Sequence, residues 1–469
     1  MDLINNYNKA LSFYKTKKYN EAITLCNEIL QFEQEHYLTW NLLGNIFFTL
    51  NDFENAKNFF LMTIDLNPKF IEAYFMLGNV LFSMHMYEDS ISIWEEALKI
   101  DNSHSIIYSN IALSFIKLNN TNKAIEFLDL SLNINPNNED AYIYLSEIYK
   151  KKSDIINYKN NLLKAISINA KNPKTNFDLS YIYFLERNYI KAYSYFESRK
   201  KLIEEKHNYN YLPFKEYNFQ NIKNKSLLIY HEQGFGDNIQ FIRFLNNIKC
   251  SELSVGIQNS LNKLFSYNYP NIKFKDVILA QDKYDYMLPM MSIPYFFKIY
   301  DVNDSKYLKV DEKDIFEFRN NFLNNDKLNI GIVWSGSKTS EVAELKNLRI
   351  SDFEPLFNKK YNFYSLQIDG NEEIKKYKNI KILGNNFKNF YDTAVAICAL
   401  DLIISIDTSI AHLTGALGQK GFVLSNKNQF DWRWDNENHK SIWYNSIKVF
   451  KYFDIGDAIK MIKEEINEL

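Results

Sequence analysis

The sequence predicts a multidomain chain in which an all-α repeat superhelix precedes two parallel α/β domains. Three observations carry this. A thirty-four-residue beat of large and small apolar residues runs through the first two hundred positions. It stops before a glycine turn, Gln233-Gly234-Phe235-Gly236-Asp237. Beyond that turn, short apolar runs of strand length alternate with helical patterns. At 469 residues the chain exceeds what one hydrophobic core organises.

The clearest repeat unit reads Trp40, Leu43, Gly44, Phe47, Ala56, Phe60 and Pro68, and the next reads Tyr74, Leu77, Gly78, Leu81, Ser90, Trp94 and Ala97. Equal steps continue through Tyr108, Ile111, Ala112, Phe115, Ala124 and Pro136, then Tyr142, Leu145, Tyr149, Leu162 and Ala165. Weaker copies flank them, with Ala10 and Ala22 before and Leu179, Tyr183, Ala192 and Phe196 after. Small residues such as Gly44 with Ala56, and Gly78 with Ser90, let two helices approach, while the large ones fill the seam. Each helix pair leaves an apolar side that only its neighbour covers, so the units stack into a superhelix with a concave face. Period and positions resemble the tetratricopeptide repeat. Asn41, Asn45, Asn79 and Asn110 lie off the packing pattern on first helices, where their amides could clamp a partner's backbone. The plainer reading is solvated Asn in an Asn-rich chain. The repeat domain is placed at 1–204 and a connector at 205–224, its aromatics pinned on one domain or the other.

Composition narrows the function. A net charge of −2 gives no global attraction to nucleic acid or an anionic membrane. Three scattered cysteines form neither a disulfide framework nor a metal spacing, so no metal site and a reducing cytoplasm are expected. The N-terminus lacks the apolar run of a signal peptide. The longest apolar stretch, 394–406, is broken by Asp401 and too short to span a bilayer. A soluble, cytoplasmic protein is the expectation.

The first α/β domain, 225–325, opens with a buried strand at 226–230, the glycine turn, and a helix at 239–245. Strands at 253–257, 277–279 and 286–288 complete it. Strand, glycine turn and helix make a Rossmann-like opening, though without the nicotinamide-type fingerprint. The second domain, 326–469, begins with a strand at 328–334 running into Ser335-Gly336. A helix near 352–357, strands at 362–367 and 380–383, and a helix at 391–399 follow. The buried strand 402–406 then ends in Asp407-Thr408-Ser409, with His412 one turn into the next helix. Hydroxyls and free N–H groups at such a strand end suit a phosphate. A terminal helix closes the chain.

Residues 226 to about 450 resemble a GT-B glycosyltransferase of the heptosyltransferase-like (family 9-like) type, in the form fused behind tetratricopeptide repeats in bacteria. The segments that carry the likeness are Glu232-Gln233-Gly234-Phe235-Gly236-Asp237, Gly331-Ile332-Val333-Trp334-Ser335-Gly336, Tyr364-Ser365-Leu366-Gln367, Asp392-Thr393-Ala394, the run from Asp401 to Leu413, Asp431-Trp432-Arg433-Trp434 and Trp443-Tyr444. The resemblance implies two Rossmann-like domains. It implies Asp237 as general base on an acceptor hydroxyl, with Gly234 and Gly236 shaping its turn. It implies a leaving nucleotide phosphate held around Ser335, Gly336, Arg349, Gln367, Asp407, Thr408, Ser409 and His412. No Asp-X-Asp occurs, in keeping with metal-independent chemistry and a nucleotide-sugar substrate in place of a cofactor. Between Gly336 and Arg349 the chain carries neither the His nor the Asp that the likeness leads one to expect, which leaves the donor unassigned.

Bland readings stand beside these. Asp237 also suits the N-cap of its helix, His412 a satisfied helix histidine, Trp432 and Trp434 packing, Arg433 a surface ion pair or a donor contact, and Asp401 a turn. The expected function is transfer of a sugar from a nucleotide-sugar to an acceptor, a protein (flagellin-like or another surface protein) recruited by the repeats. The alternatives are a non-catalytic repeat adaptor with a nucleotide-binding domain, and a transferase acting on lipopolysaccharide core. Neither nucleic acid nor a membrane span is expected, and self-association through the superhelix stays open.

Overall fold

A computed structural model of the chain describes residues 2–203, 212–300, 306–324, 326–336, 343–368, 372–427, 431–434 and 439–468. It forms two compact units, Met1–Thr175 and Asn176–Leu469.

The helices come in antiparallel pairs: α1 (Leu3–Lys15) with α2 (Tyr19–Phe32), α3 (Tyr37–Thr49) with α4 (Phe53–Leu66), and α5 (Ile71–Ser83) with α6 (Tyr87–Ile100). Then follow α7 (Ser105–Lys117) with α8 (Thr121–Ile134), and α9 (Glu139–Lys151) with α10 (Ile155–Ile168). A sixth pair, α11 (Pro173–Leu185) and α12 (Tyr189–Phe196), keeps the same beat. The backbone shows the period more sharply than the side chains do. Each turn inside a pair holds one left-handed residue, at Lys17, Asn51, His85, Asn119, Ser153 and Arg187, thirty-four residues apart each time. None of the six is glycine, so neighbouring packing rather than intrinsic freedom fixes this conformation. Volume is exchanged across each seam. Glycine faces the largest rings, Gly44 against Phe60 and Gly78 against Trp94.

α11 starts in register with the repeats, yet from Asn176 onward its residues belong to the second unit. Phe184 lies flat on Trp432, ring centroids 4.0 Å apart and planes within 13°. α12 ends at Phe196, eight residues long where the preceding second helices have fourteen, and a short helix α13 (Arg199–Ile203) follows. The contact boundary therefore falls at Thr175, inside the span 1–204 that the repeat pattern assigns to the superhelix.

The second unit holds two fully parallel sheets. In the first, β1 (Lys215–Glu216), β2 (Ser226–Tyr230), β3 (Glu252–Gly256), β4 (Lys273–Lys275) and β5 (Tyr286–Pro289) run in the order β1-β5-β2-β3-β4. In the second, β6 (Asn329–Val333), β7 (Asn362–Ser365), β8 (Ile380–Ile382), β9 (Leu402–Ile406), β10 (Gly421–Asn426) and β11 (Ile447–Tyr452) run in the order β11-β10-β9-β6-β7-β8. That order is the doubly wound Rossmann arrangement, with its reversal point between β6 and β9. Helices α14 (Phe235–Phe241), α15 (Asn259–Asn268) and α16 (Ile293–Phe297) accompany the first sheet. With the second go α17 (Glu312–Phe322), α18 (Ala343–Lys346), α19 (Phe390–Ala399), α20 (Ser409–Ala416) and the terminal α21 (Ile455–Asn467).

Several expectations need correction. The strand expected at 277–279 lies instead at Lys273–Lys275, because Val277 and Leu279 face solvent and Asp282 closes a turn onto the Leu279 N–H. The helix expected from 239 begins at Phe235, directly on the glycine turn, and tightens into a 3-10 helix over Ile242–Asn247. The segment near 352–357 is likewise a 3-10 turn, Ile350–Leu356. Within the connector, residues 205–211 lie outside the described residues. Its C-terminal part supplies β1, and Phe214 and Tyr217 pack against Tyr284 and Tyr286 of the first α/β domain.

Candidate functional site

A parallel sheet offers ligands its strand C-termini at the point where strand order reverses. Three turns of interest sit there. The glycine turn follows β2, Ser335-Gly336 follows β6, and Asp407-Thr408 follows β9.

The glycine turn and the second sheet meet directly. α14 packs on α20, and a Cβ built on Gly236 would lie 2.8 Å from the His412 Cδ2 and 3.5 Å from the Ser409 Cα. Only glycine allows that approach. Gly234 is the helix N-cap, and Asp237 sits one turn in. The N-cap reading of Asp237 is therefore replaced: its carboxylate accepts a hydrogen bond from Arg433 Nη2 at 2.7 Å. Arg433 is not a surface ion pair. It is buried, gives Nε–H to Gln240 Oε1 at 2.9 Å, and approaches Asp431 at 3.4 Å. Trp432 and Trp434, both buried, are packing residues as read.

His412 is also buried, and its Nδ1 pairs with the Tyr444 hydroxyl at 2.9 Å. Tyr444 reaches it because Gly415, one turn along α20, leaves room for the phenol ring. Burial, reinforced by the charges of Arg433, Lys346 and Arg243 and opposed by Asp407, lowers the imidazole pKa to about 3. The ring is neutral in ordinary buffers. Asp407 ion-pairs with Lys346 at 2.5 Å and accepts the Trp434 Nε1–H at 2.6 Å. Burial works to raise its pKa, but Lys346 and His412 prevail and hold it at about 2.

The Ser335–Gly336 turn is tied by Gln367, which accepts from the Ser335 N–H at 3.3 Å and donates to its carbonyl at 2.8 Å. Asn347 accepts from the Gly336 N–H at 2.8 Å, and Gly336 abuts the Thr408 methyl. The Thr408 hydroxyl shares a hydrogen bond with Ser405 at 3.1 Å. Asp401, the expected turn residue, binds the Asn329 N–H at 2.8 Å and Arg319 at 2.9 Å.

Of the expected site residues, Gly234, Gly236, Asp237, Asp407, Thr408, Ser409 and His412 form one continuous region, and Ser335, Gly336 and Gln367 adjoin it through Thr408. Arg349 stands apart, exposed at the start of the 3-10 turn with its N–H on Asp352. Sequence reasoning missed Lys346, Asn347 and the Asp237–Arg433 pair. The Asp-Trp-Arg-Trp run was the one local signal, since it places a cation between two aromatic anchors. Among the described residues no group of three or more His, Cys, Asp or Glu is arranged to hold a metal. No helix among them is long and apolar enough to cross a membrane.

On the repeats, Asn41 is buried, so it offers a partner nothing. Asn45, Asn79 and Asn110 are half-buried, and Asn110 donates to Asn79 at 3.1 Å across neighbouring repeats.

The tetratricopeptide repeat family matches residues 37–70, 71–104 and 106–138, so these residues carry tetratricopeptide repeats, with a protein-interaction role. The chain is 21% identical to Protein FlbA of Caulobacter vibrioides over 493 residues, a match covering 94% of this chain and 80% of that protein. It is 22% identical to anaphase-promoting complex subunit 3 of Schizosaccharomyces pombe over 207 residues, 44% of this chain and 31% of that protein. A DnaJ homolog subfamily C member 7 homolog of Dictyostelium discoideum is 25% identical over 180 residues, 35% and 33% of the two chains. The chain thus spans about a third of the length of these last two. Among solved structures, Pseudomonas aeruginosa PilF gives a TM-score of 0.39 at 14% identity, covering 43% of this chain and 92% of that one. PilW, described as a type IV pilus biogenesis factor, gives 0.39 at 17%, covering 44% and 95%.

Proposed function

We propose that the chain is a nucleotide-sugar-dependent glycosyltransferase of GT-B type, with an acceptor protein brought to it by the repeats. The observation that carries this reading is the contact of Gly236 with His412 and Ser409. It brings an acid-bearing turn from one Rossmann-like sheet to the hydroxyl-bearing helix start of the other. Asp237 is the group suited to take the acceptor proton. The Thr408–Ser409 helix start, with neutral His412 behind it, is suited to receive the leaving phosphate. Lys346 adds a positive charge beside it, tethered to Asp407. The chemistry needs no metal on this reading, and neither reducing nor oxidising cofactor.

A second reading rests on one observation: Asp237 is already paired with the buried Arg433. A carboxylate oxygen so held is occupied by the guanidinium and must be released before it can meet an acceptor hydroxyl. On that reading the second unit binds a nucleotide or a partner without turnover, and the chain is an adaptor.

The full chain, incubated with a panel of nucleotide-sugars in the presence of a chelator, separates them by nucleotide release. A transferase releases nucleotide from one donor class, and Asp237→Asn lowers the rate by about a hundredfold or more while donor affinity holds. Binding without release supports a nucleotide-binding adaptor, and no binding by any donor sinks the transferase and leaves only an adaptor that binds a partner. Mass analysis of protein and lipid fractions from cells lacking the gene then tells a protein acceptor from a lipopolysaccharide one.

A further inference from the structure

The sixth helical pair keeps the repeat register and then breaks it. α12 stops at Phe196, and the chain bends through Glu197-Ser198 so that Arg199 turns inward to 1% exposure. There the guanidinium forks onto Glu232, Nε to Oε2 at 3.0 Å and Nη2 to Oε1 at 2.7 Å. Nη2 also reaches the Ser292 hydroxyl at 2.8 Å, and Glu232 accepts the Met291 N–H at 3.2 Å. Glu232 is the residue that opens the glycine turn. On the preceding helix, Phe184 stacks on Trp432, next in sequence to the Arg433 that holds Asp237. The sixth pair and the short α13 that follows it thus grip both ends of the Asp237–Arg433 contact, α13 through the first sheet's turn and α11 through the second sheet's 431–434 segment. An electrostatic link joins them. Burial pushes the Tyr181 phenol up, with Arg433 opposing and Asp431 and Asp237 adding to the rise, so this α11 residue lies in the field of all three.

We propose that the sixth repeat, with the α13 turn that follows it, has become part of the transferase site, where Phe184 of α11 and Arg199 of α13 act as positioning residues that hold the glycine turn and Asp237 in register with Arg433. A solvent-facing repeat needs neither a buried bidentate arginine nor a truncated second helix. Both are explained if this pair works as a bracket and leaves partner capture to the earlier repeats. The proposal rests on the transferase reading for its catalytic consequence, but not for its structural one.

The test uses the full-length protein. Arg199→Lys keeps the charge and loses the fork. Phe184→Leu keeps apolar bulk and loses the stack. Arg199→Met with Glu232→Leu and Glu197→Gln removes the ion-paired cluster without leaving a carboxylate of it buried alone, which keeps a folded variant available if the single change unfolds the chain. Gly78→Ala, in the third pair, is the control for general destabilisation. Hydrogen exchange of the 233–241 amides, read without any donor, should accelerate in all three site variants and stay at the wild-type rate in the control. Donor turnover should fall about tenfold to a hundredfold, with KM within about threefold, as expected for a base displaced by a fraction of an ångström. Unchanged exchange at 233–241 in the site variants overturns the proposal, as does a turnover loss matched by the control at equal folded fraction. If the wild-type protein turns over no nucleotide-sugar, the transferase reading fails, while the exchange result still decides whether the sixth pair holds the turn.

Discussion

Gly236 and His412, 176 residues apart in sequence, pack so closely that the glycine's missing methyl would sit 2.8 Å from the imidazole ring. His412 is pinned from the other side by Tyr444, and Tyr444 by the gap at Gly415, so the ring has no easy retreat. Gly236→Ala should therefore separate α14 from α20. Overpacking of this kind costs about 1–3 kcal/mol, partly offset by the better helix propensity of alanine. The measurable outcome is a lower thermal midpoint together with at least tenfold weaker binding of a nucleoside diphosphate by calorimetry, about 1.4 kcal/mol. Wild-type affinity in this variant would show that the contact does not shape the site.

Acid should unfold the second unit in a way that His412 governs. Its ordinary pKa of 6.5 falls to about 3 in the fold, so the unfolded chain binds the proton first. The stability contributed by the neutral ring is fully present above pH 6.5 and is lost as pH falls from there toward 3. Asp407, lowered from 3.8 to about 2, adds a second loss below pH 3.8. Asp431, whose carboxyl burial raises, works in the opposite direction and softens the limb. His412→Gln should flatten the decline between pH 6.5 and 3 by a few kcal/mol at most in urea titrations across that range. A turnover profile with a step near pH 6.5 that vanishes in His412→Gln would contradict a buried neutral ring.

Removing Arg433 should cost more than removing its partner's charge. Arg433→Gln takes from the part-buried Asp237 and Asp431 the guanidinium they share, a loss of about 2–4 kcal/mol. Asp237→Asn leaves the guanidinium with Asp431 and Gln240, and about 1 kcal/mol is expected. Chemical denaturation of both variants gives the comparison, and an equal or reversed order would mean that Arg433 is held mainly by its packing on Trp432.

Much of this was legible because the residues concerned act locally. Runs such as 226–230 and 402–406 are continuous and apolar since both faces of a central parallel strand are covered. The strand ending in Asp407-Thr408-Ser409 shows its polar turn in sequence for the same reason. What escaped was long-range or deceptive. Arg433 finds Asp237 across 196 positions, and nothing near either residue announces the other. Val277 and Leu279 look like a strand but lie on the surface, because Ile278 between them is the residue that packs inward. β10 and β11 are separated in sequence by the stretch that carries Arg433, and that interruption hid their pairing. The sixth repeat passed as one more repeat, since its registering residues Leu179, Tyr183, Ala192 and Phe196 are intact and only the turn after Phe196 departs.

Gly78 offers a test of the repeat half that leaves the proposed site alone. Its Cα lies against the indole of Trp94, which is buried and donates Nε1–H to the Phe75 carbonyl at 3.0 Å. A methyl on residue 78 cannot share that space, so the indole must tilt and release its hydrogen bond. Alanine's helix propensity returns about 1 kcal/mol, overpacking takes about 1–3, and the broken bond takes about 1 more. A net loss of about 2 kcal/mol follows for Gly78→Ala. Because each helix pair touches chiefly its neighbours, the loss should stay local. Hydrogen exchange should rise in α5, α6 and the adjoining α4 and α7, while the amides of β6 and β9 keep their protection. Enlarging Gly78 and shrinking Trp94 together, as Gly78→Ala with Trp94→Phe, should recover part of the loss. Recovery should be only partial, because at the same two positions of the preceding repeat a Cβ on Gly44 would still meet the Phe60 ring at 2.6 Å. A double variant no more stable than Gly78→Ala alone would mean that relieving the crowding at Trp94 does not restore this seam.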